Sequence, residues 1–304
     1  MDTGVIVQQM LLFVLLMATG FVIRRLGILD ADSNGTLTRL LLKVTLPAAL
    51  IASLAGSTLD ISRREVPLLF LFIALSFLIM GLLSWLAPRL FRAKRDERGP
   101  FMALGLFANV NFIGFPLIYA FFGPDGMFYA ILYNIVFNLL VFSLGMKLVG
   151  GKQAKLSLKL FFSPVMVASM LSVLLFFTGI QLPFVAYRSL ALLGGATTPL
   201  AMLLLGSMLG EMKVADMFRG WRIYVIAGVR LLFIPIVVYF LMAPLPMDTL
   251  LLRVILVMSA APMAISIAMF TVHYNVHQEL AGKGIFLSTV LSVLTIPLLL
   301  SFLL

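Results

Sequence analysis

The sequence has no cysteine, two histidines and two tryptophans among 304 residues, and its 12 Asp+Glu are outnumbered by 22 Lys+Arg. Without cysteine there is no disulfide scaffold, no thiolate nucleophile and no Cys-ligated zinc or iron–sulfur centre. Charge of either sign is scarce: Asp, Glu, Lys and Arg supply 11% of the chain, where a soluble domain carries about 25%. Hydrophobic residues make up 62%, and the mean hydropathy is +1.14. A chain this poor in polar side chains cannot wet its own surface, so an ordinary soluble enzyme is excluded, and so is disorder. The composition is that of a membrane protein. The net charge of +10 does not point to nucleic acid, because no basic stretch is interleaved with stacking aromatics.

What is present is a series of long apolar runs. Cutting the chain at its charges gives ten, at 3–23, 40–59, 66–88, 99–124, 126–146, 160–180, 185–210, 221–247, 254–273 and 284–304. About 20 such residues cross the hydrocarbon as a helix; the second run is short and carries Lys43 close to its start. The first run reads as a retained span and not as a signal peptide, because Arg24 and Arg25 follow it and no Ala-x-Ala-like site stands out. Loops after the odd-numbered runs hold 16 Lys+Arg, including Arg24, Arg25, Arg89, Arg92, Lys94, Arg95, Lys147 and Lys155. The opposite side holds four, Arg63, Arg64, Arg188 and Arg253, and the remaining two cations, Lys43 and Arg230, fall inside runs. The positive-inside rule then puts both termini outside a multi-pass inner-membrane protein. No connection exceeds about fifteen residues. Gly150-Gly151-Lys152 lacks the spacing and the Ser/Thr of a phosphate loop, which argues against an ATP-driven pump.

Five runs precede the basic linker Gly150–Lys159 and five follow it. An odd number per half makes the second half enter the membrane with opposite orientation, so the expected organisation is two inverted five-span repeats, residues 1–152 and 153–304. The prolines agree: Thr45-Leu46-Pro47 in run 2 corresponds to Thr197-Thr198-Pro199 in run 7, and Pro116 in run 4 to Pro262 in run 9. Pro116 removes one helical bond and clashes with the carbonyl of Phe112, and Pro262 does the same to Met258. Broken helices in hydrocarbon are tolerated where they line a cavity, and a pair in corresponding positions of two inverted halves points to a transport site. The candidate substrate-binding residues are therefore Asn109, Asn111, Gly114 and Pro116 in run 4, with Ser259, Ala261, Pro262 and Met263 in run 9. Half-helix N-termini suit a carboxylate, and Asn109 adds an uncharged donor. Asn134 and Asn138, at i and i+4 in run 5, either extend the polar lining or hydrogen-bond between helices. Ser53, six residues after Pro47, either joins the site or serves as a small packing residue. Arg230, well inside run 8, reads as structural or site-orienting, and Lys43 as snorkelling to the interface.

No metal or cofactor is expected. His273 and His277 share the i, i+4 spacing of a chelate but sit at a helix end without a good third ligand. An intramembrane aspartyl protease needs two buried Asp, yet every Asp lies outside the runs; a serine type needs Ser and His deep in adjacent helices, and both histidines are at one edge.

The residues of run 4 also carry a resemblance. Asn109, Phe112, Gly114 and Pro116 form an Asn-x-x-Phe-x-Gly-x-Pro string that resembles the signature of the auxin efflux carrier family, whose bacterial members include malate and malonate permeases. Ala260-Ala261-Pro262, Tyr274-Asn275, Leu287-Ser288-Thr289 and Ile296-Pro297-Leu298 are similar to that family's last two spans. The family usually reads Gly-Asn-Thr-Gly where this chain has Ala108-Asn109-Val110-Asn111. The resemblance covers the whole chain and implies an all-α fold of ten transmembrane helices like the crossed-helix antiporters, with broken helices 4 and 9 crossing. It further implies that spans 1, 2, 6 and 7 form a scaffold that pairs as a homodimer, while spans 3–5 and 8–10 form a moving, elevator-type transport unit. The expected function is secondary transport of a small organic anion within membrane lipid, by uniport or exchange. A cation or proton antiporter of the same design needs a carboxylate at the crossing, and runs 3–5 and 8–10 have none at mid-depth. A ligand-sensing membrane receptor would carry a signalling domain. Single cysteines introduced as Arg95→Cys and Lys155→Cys are expected to be shielded from impermeant thiol reagents in intact cells, and Gly123→Cys and Asp248→Cys to be labelled; equal labelling of all four overturns the orientation.

Overall fold

The computed structural model describes residues 3–55, 57, 59–154, 162–211 and 220–303. Among them the architecture is all-helical, and the pairing of extended backbone is confined to a bridge between Ala108 and Met263. Among the described residues seven helical segments are long and apolar enough to cross a membrane, and two more apolar helices are shorter, so the protein is a multi-pass membrane protein. The helices are α1 Thr3–Arg25, α2 Ala31–Leu40, α3 Leu46–Ala55, α4 Val66–Leu90, α5 Arg98–Leu106, α6 Phe115–Leu140 and α7 Met146–Gly150. They continue as α8 Pro164–Thr178, α9 Phe184–Gly195, α10 Thr197–Glu211, α11 Trp221–Gly228, α12 Ile234–Met242, α13 Thr249–Ala260, α14 Ile265–His273 and α15 Gln278–Leu303.

Three internal prolines are accommodated in one way. Pro47, Pro116 and Pro235 each follow a π-helical turn, Leu41–Thr45, Val110–Gly114 and Val229–Phe233. In each, the residue before the proline donates its N–H five residues back: Leu46 to Leu41, Phe115 to Val110 and Ile234 to Val229. A proline ring collides with the carbonyl four residues earlier. Widening the turn by one residue moves that carbonyl aside and keeps the helix continuous.

Two expected boundaries shift. The second segment is helical from Ala31 to Ala55, because its polar start is held down: Asp30 Oδ1 accepts from the Ser33 N–H at 2.7 Å, and Ser207 Oγ donates to the buried Asn34 Oδ1 at 2.7 Å. Lys43 thus sits in the middle of this segment instead of near its start, with its side chain exposed. Runs 4 and 5 are separated by a kink at Gly123, whose φ of 60° is the left-handed conformation glycine permits, ahead of Pro124. Lys155, Lys159, Lys213 and Arg219, used in the charge count, lie outside the described residues.

Helices in lipid gain little from hydrophobic burial against one another, so close backbone approach through small residues has to supply the cohesion. A Cβ added to Gly206 of α10 would lie 1.9 Å from the Met17 carbonyl oxygen of α1, and one on Gly20 would lie 2.1 Å from the Leu203 oxygen. Arg24 and Glu211 close the same helix pair with a 3.2 Å ion pair. A Cβ added to Gly194 would lie 2.6 Å from the Ala49 backbone between α9 and α3, and one on Gly99 would lie 2.1 Å from the Leu148 oxygen between α5 and α7. Each of these close approaches falls within α1–α3 with α8–α10, or within α4–α7 with α11–α15. Gly206→Ala is expected to lower stability by about 1–3 kcal/mol through overpacking. Gly81→Ala, where a Cβ meets nothing within 4 Å, should raise it by about 0.5–1 kcal/mol through helix propensity. Melting temperatures of the purified variants check the contrast.

Candidate functional site: a crossing of two broken helices

α5 ends at Leu106, the chain runs extended through Phe107 and Ala108 and turns at Asn109, and the π-turn Val110–Gly114 restarts it toward α6. α13 ends at Ala260, and residues 261–264 are extended before α14. Proline disfavours helical backbone at the residue before it, and Ala261, before Pro262, is extended at φ −63° and ψ 147°. The two extended segments pair antiparallel: the Asn109 N–H donates to the Pro262 oxygen at 2.7 Å, and the Ala264 N–H to the Phe107 oxygen at 3.0 Å. The breaks thus satisfy one another where water is absent. Four helix ends converge here, the C-termini of α5 and α13 and the starts of the π-turn and α14.

Asn109 caps the restarted helix. Its Oδ1 accepts from the Phe112 N–H at 3.2 Å, while its Nδ2, on a side chain 3% exposed, has no partner. The Asn111 carboxamide oxygen and the Ser266 hydroxyl are likewise buried without partners. Gly114 leaves room for Met258, since a Cβ there would lie 2.7 Å from the Met258 sulfur. The Met263 N–H donates to Ser288 Oγ at 3.2 Å, and the buried Ser259 donates to the Leu256 oxygen at 2.8 Å.

Arg230, in the π-turn between α11 and α12, is fully buried and reaches the crossing. Its Nε donates to the Ala261 oxygen at 3.1 Å, Nη1 to the Gly105 oxygen at 3.2 Å and Nη2 to the Met258 oxygen at 3.4 Å. Met258 is the residue whose carbonyl Pro262 leaves without its helical partner. Among the described residues no carboxylate pairs with this guanidinium.

A cavity of about 170 Å³ lies against the start of α6, lined by Ser53 of α3, Pro116 and Tyr119 of α6, Tyr187 of α9, and Thr197 and Thr198 of α10. At about 30 Å³ per water, it suits a ligand of a few heavy atoms. Tyr187 also lines a second, larger cavity of about 780 Å³ that includes Asp60, Arg63 and Gln181. The candidates therefore divide. Asn109, Asn111, Gly114, Ser259, Ala261, Pro262 and Met263 belong to the crossing, and Ser53 and Pro116 line the cavity. Asn134 and Asn138 lie in neither: Asn134 Nδ2 donates to Ser169 Oγ of α8 at 3.3 Å, and Asn138 Nδ2 to the Asn134 carbonyl at 2.9 Å. His273 ends α14, and His277 lies in the following loop, 3.4 Å from Asp96. No group of three metal-ligating side chains occurs among the described residues.

Sequence reasoning missed Thr197 and Thr198 as cavity residues, although their place beside Pro199, matching Thr45 beside Pro47, was the signal. It also missed what Arg230 holds, because helix ends 31 and 125 residues away are joined to it by the fold alone.

The chain is a membrane transporter and not an enzyme. Residues 5–300 match the family described as membrane transport protein, and the chain belongs to that family, to which the auxin efflux carrier resemblance points. It is similar to an uncharacterized transporter of Methanothermobacter thermautotrophicus, 25% identical over 298 residues that make up 96% of each chain. It is equally similar to one of Methanocaldococcus jannaschii, 25% identical over 297 residues covering 95% of this chain and 96% of the other.

The Thr197 hydroxyl is buried without a partner. Thr197→Val is expected to keep or raise the melting temperature and to weaken binding of a ligand that occupies the cavity by about tenfold, the loss of one hydrogen bond. A lowered melting temperature with unchanged binding assigns the hydroxyl to structure instead.

Proposed function

We propose that this protein is an elevator-type secondary transporter of small organic anions, carboxylates above all, in the inner membrane. The observation that carries the reading is the crossing, where a helix start capped by Asn109 leaves the Asn109 Nδ2 buried and unpaired. A helix start carries about half a positive charge, and an amide donor beside it recognises a carboxylate without a counter-ion. The absence of Asp and Glu from the buried side chains described favours an anion over the cargo of a cation or proton antiporter.

The helical segments, with the kink at Gly123 and the breaks at 107–109 and 261–264, support ten crossings in two inverted halves, 1–152 and 153–304, with both termini outside. The sorting of close glycine approaches supports two bodies: spans 1, 2, 6 and 7 as the scaffold through which two copies pair, and spans 3–5 and 8–10 as the moving unit. The cavity lies between them, bounded by α3, α9 and α10 on one side and α6 on the other. The substrate enters through the larger cavity past Tyr187. With no carboxylate buried among the described residues to carry a proton, transport runs as uniport or exchange and responds to membrane potential.

Asn109 gives the sharpest test. Aspartate caps a helix as well as asparagine does, so Asn109→Asp is expected to keep stability. It replaces the free donor with a negative charge, and two like charges at ~4 Å repel by about 4 kcal/mol at an effective dielectric of 20, roughly a thousandfold in affinity. Asn109→Ala loses the cap, at about 1 kcal/mol of stability, and the donor, at about 1.5–3 kcal/mol of binding. Carboxylate affinity and melting temperature of the three proteins decide. Aspartate binding the anion as well as asparagine ends the carboxylate reading, and tighter cation binding by the aspartate variant favours the antiporter.

A further inference from the structure

Arg230 is a buried cation joined to the C-terminal ends of both interrupted helices, and charge arithmetic at the crossing gives it a role beyond packing. Each helix C-terminus carries about half a negative charge and each N-terminus about half a positive one, so two ends of each kind nearly cancel. The guanidinium adds a full positive charge. Its contacts are with Gly105 at the end of α5 and with Met258 and Ala261 at the end of α13. It therefore neutralises the two negative ends and leaves the two positive ends, beside the unpaired Asn109 Nδ2, in excess by about one unit charge.

We infer that Arg230 is a built-in counter-ion that sets the charge selectivity of the crossing: it takes the place of a bound alkali cation at the helix C-termini and makes the region complementary to one carboxylate. This rests on the reading of the crossing as the anion site. Arg230 is a positioning residue that acts through the helix ends it caps. Removing its side chain leaves the carbonyl oxygens of Gly105, Met258 and Ala261 facing a vacated space, and carbonyl oxygens in such a group are ligands for a small cation.

The test uses purified full-length wild type, Arg230→Ala and Arg230→Lys. Melting temperature and carboxylate affinity are measured in choline, sodium or potassium chloride at constant ionic strength, with and without millimolar ethylguanidinium. Wild type and Arg230→Lys are expected to be indifferent to the cation. Arg230→Ala is expected to bind carboxylate about tenfold more weakly in choline. It should recover both melting temperature and affinity, saturably, with ethylguanidinium or a small alkali cation. A variant that folds only with ethylguanidinium present gives the same support. Arg230→Ala that binds carboxylate as wild type does, or that no cation restores, overturns the inference. So does Arg230→Lys behaving like Arg230→Ala, which would make the residue a matter of shape. Cation-specific recovery of the melting temperature in a protein that binds no carboxylate keeps the counter-ion role and overturns the anion reading alone.

Discussion

Two backbone hydrogen bonds and one guanidinium hold four helix ends together in the apolar interior. An unpaired N–H or C=O in hydrocarbon costs several kcal/mol, so a chain cannot interrupt one membrane helix without finding partners for the groups set free. Here each interruption supplies them to the other. Phe107 and Asn109 meet Ala264 and Pro262 across the bridge, and Arg230 takes up carbonyls from both C-terminal ends. Neither break is stable alone, which ties the position of Pro262 to that of Asn109 across 150 residues of chain. The small residues around them follow from the same geometry, since Gly114 must be bare for Met258 to pass.

That knot lies entirely within the helices α4–α7 and α11–α15, and so do Glu97 with Arg222 and Met263 with Ser288. The other helices have their own fastenings in Gly20, Gly194, Gly206, Arg24 with Glu211, and Asn34 with Ser207. Between the two groups, polar contacts among the described residues include Asn134 with Ser169 at 3.3 Å, Ser57 with Asp125 at 2.9 Å and Arg63 with the Phe177 oxygen at 2.6 Å. Such bonds average about 0.6 kcal/mol between membrane helices, small beside the glycine-mediated packing inside each group. The proposed elevator motion needs a boundary that the fastenings inside each group do not cross, and the glycine approaches and the ion pairs Arg24–Glu211 and Glu97–Arg222 stay on their own sides of it. The π-turns fit the same picture, because they let Pro47, Pro116 and Pro235 sit in helices that stay continuous and stiff.

The sequence announces a multi-pass helical membrane protein through its apolar runs and scarce charge, and it marks the crossing through Pro116, Pro262 and the buried amides, because these are local violations of helix chemistry. It is less informative where the fold joins distant residues. Lys43 falls near the start of a span only when the chain is cut at charges; Asp30 and the Asn34–Ser207 bond extend the helix backward through the polar stretch from Ala31. Asn134 and Asn138 share a helix face with the spacing of a site, yet one bonds a neighbouring helix and the other its own backbone. Spacing along one helix cannot say which neighbour that face meets. Thr197 and Tyr187 show the reverse, ordinary residues made significant by the cavity the fold brings to them.

A transporter must release what it binds, and this constrains the chemistry of the crossing. A buried arginine offered directly to a carboxylate forms a two-pronged, charge-assisted pair that is strong and slow to part. In this chain the guanidinium faces the carbonyl ends of the broken helices. On the proposed anion reading, an arriving carboxylate meets partial charges spread over helix starts and a neutral amide, each worth about 0.3–1 kcal/mol at exposed sites and up to ~2 kcal/mol when partly buried. On that reading, several such contacts favour an anion over a cation by sign and still allow its escape. The full charge is spent inside the protein, on the helix ends it contacts, so on that reading it shapes the field without becoming a trap for the cargo.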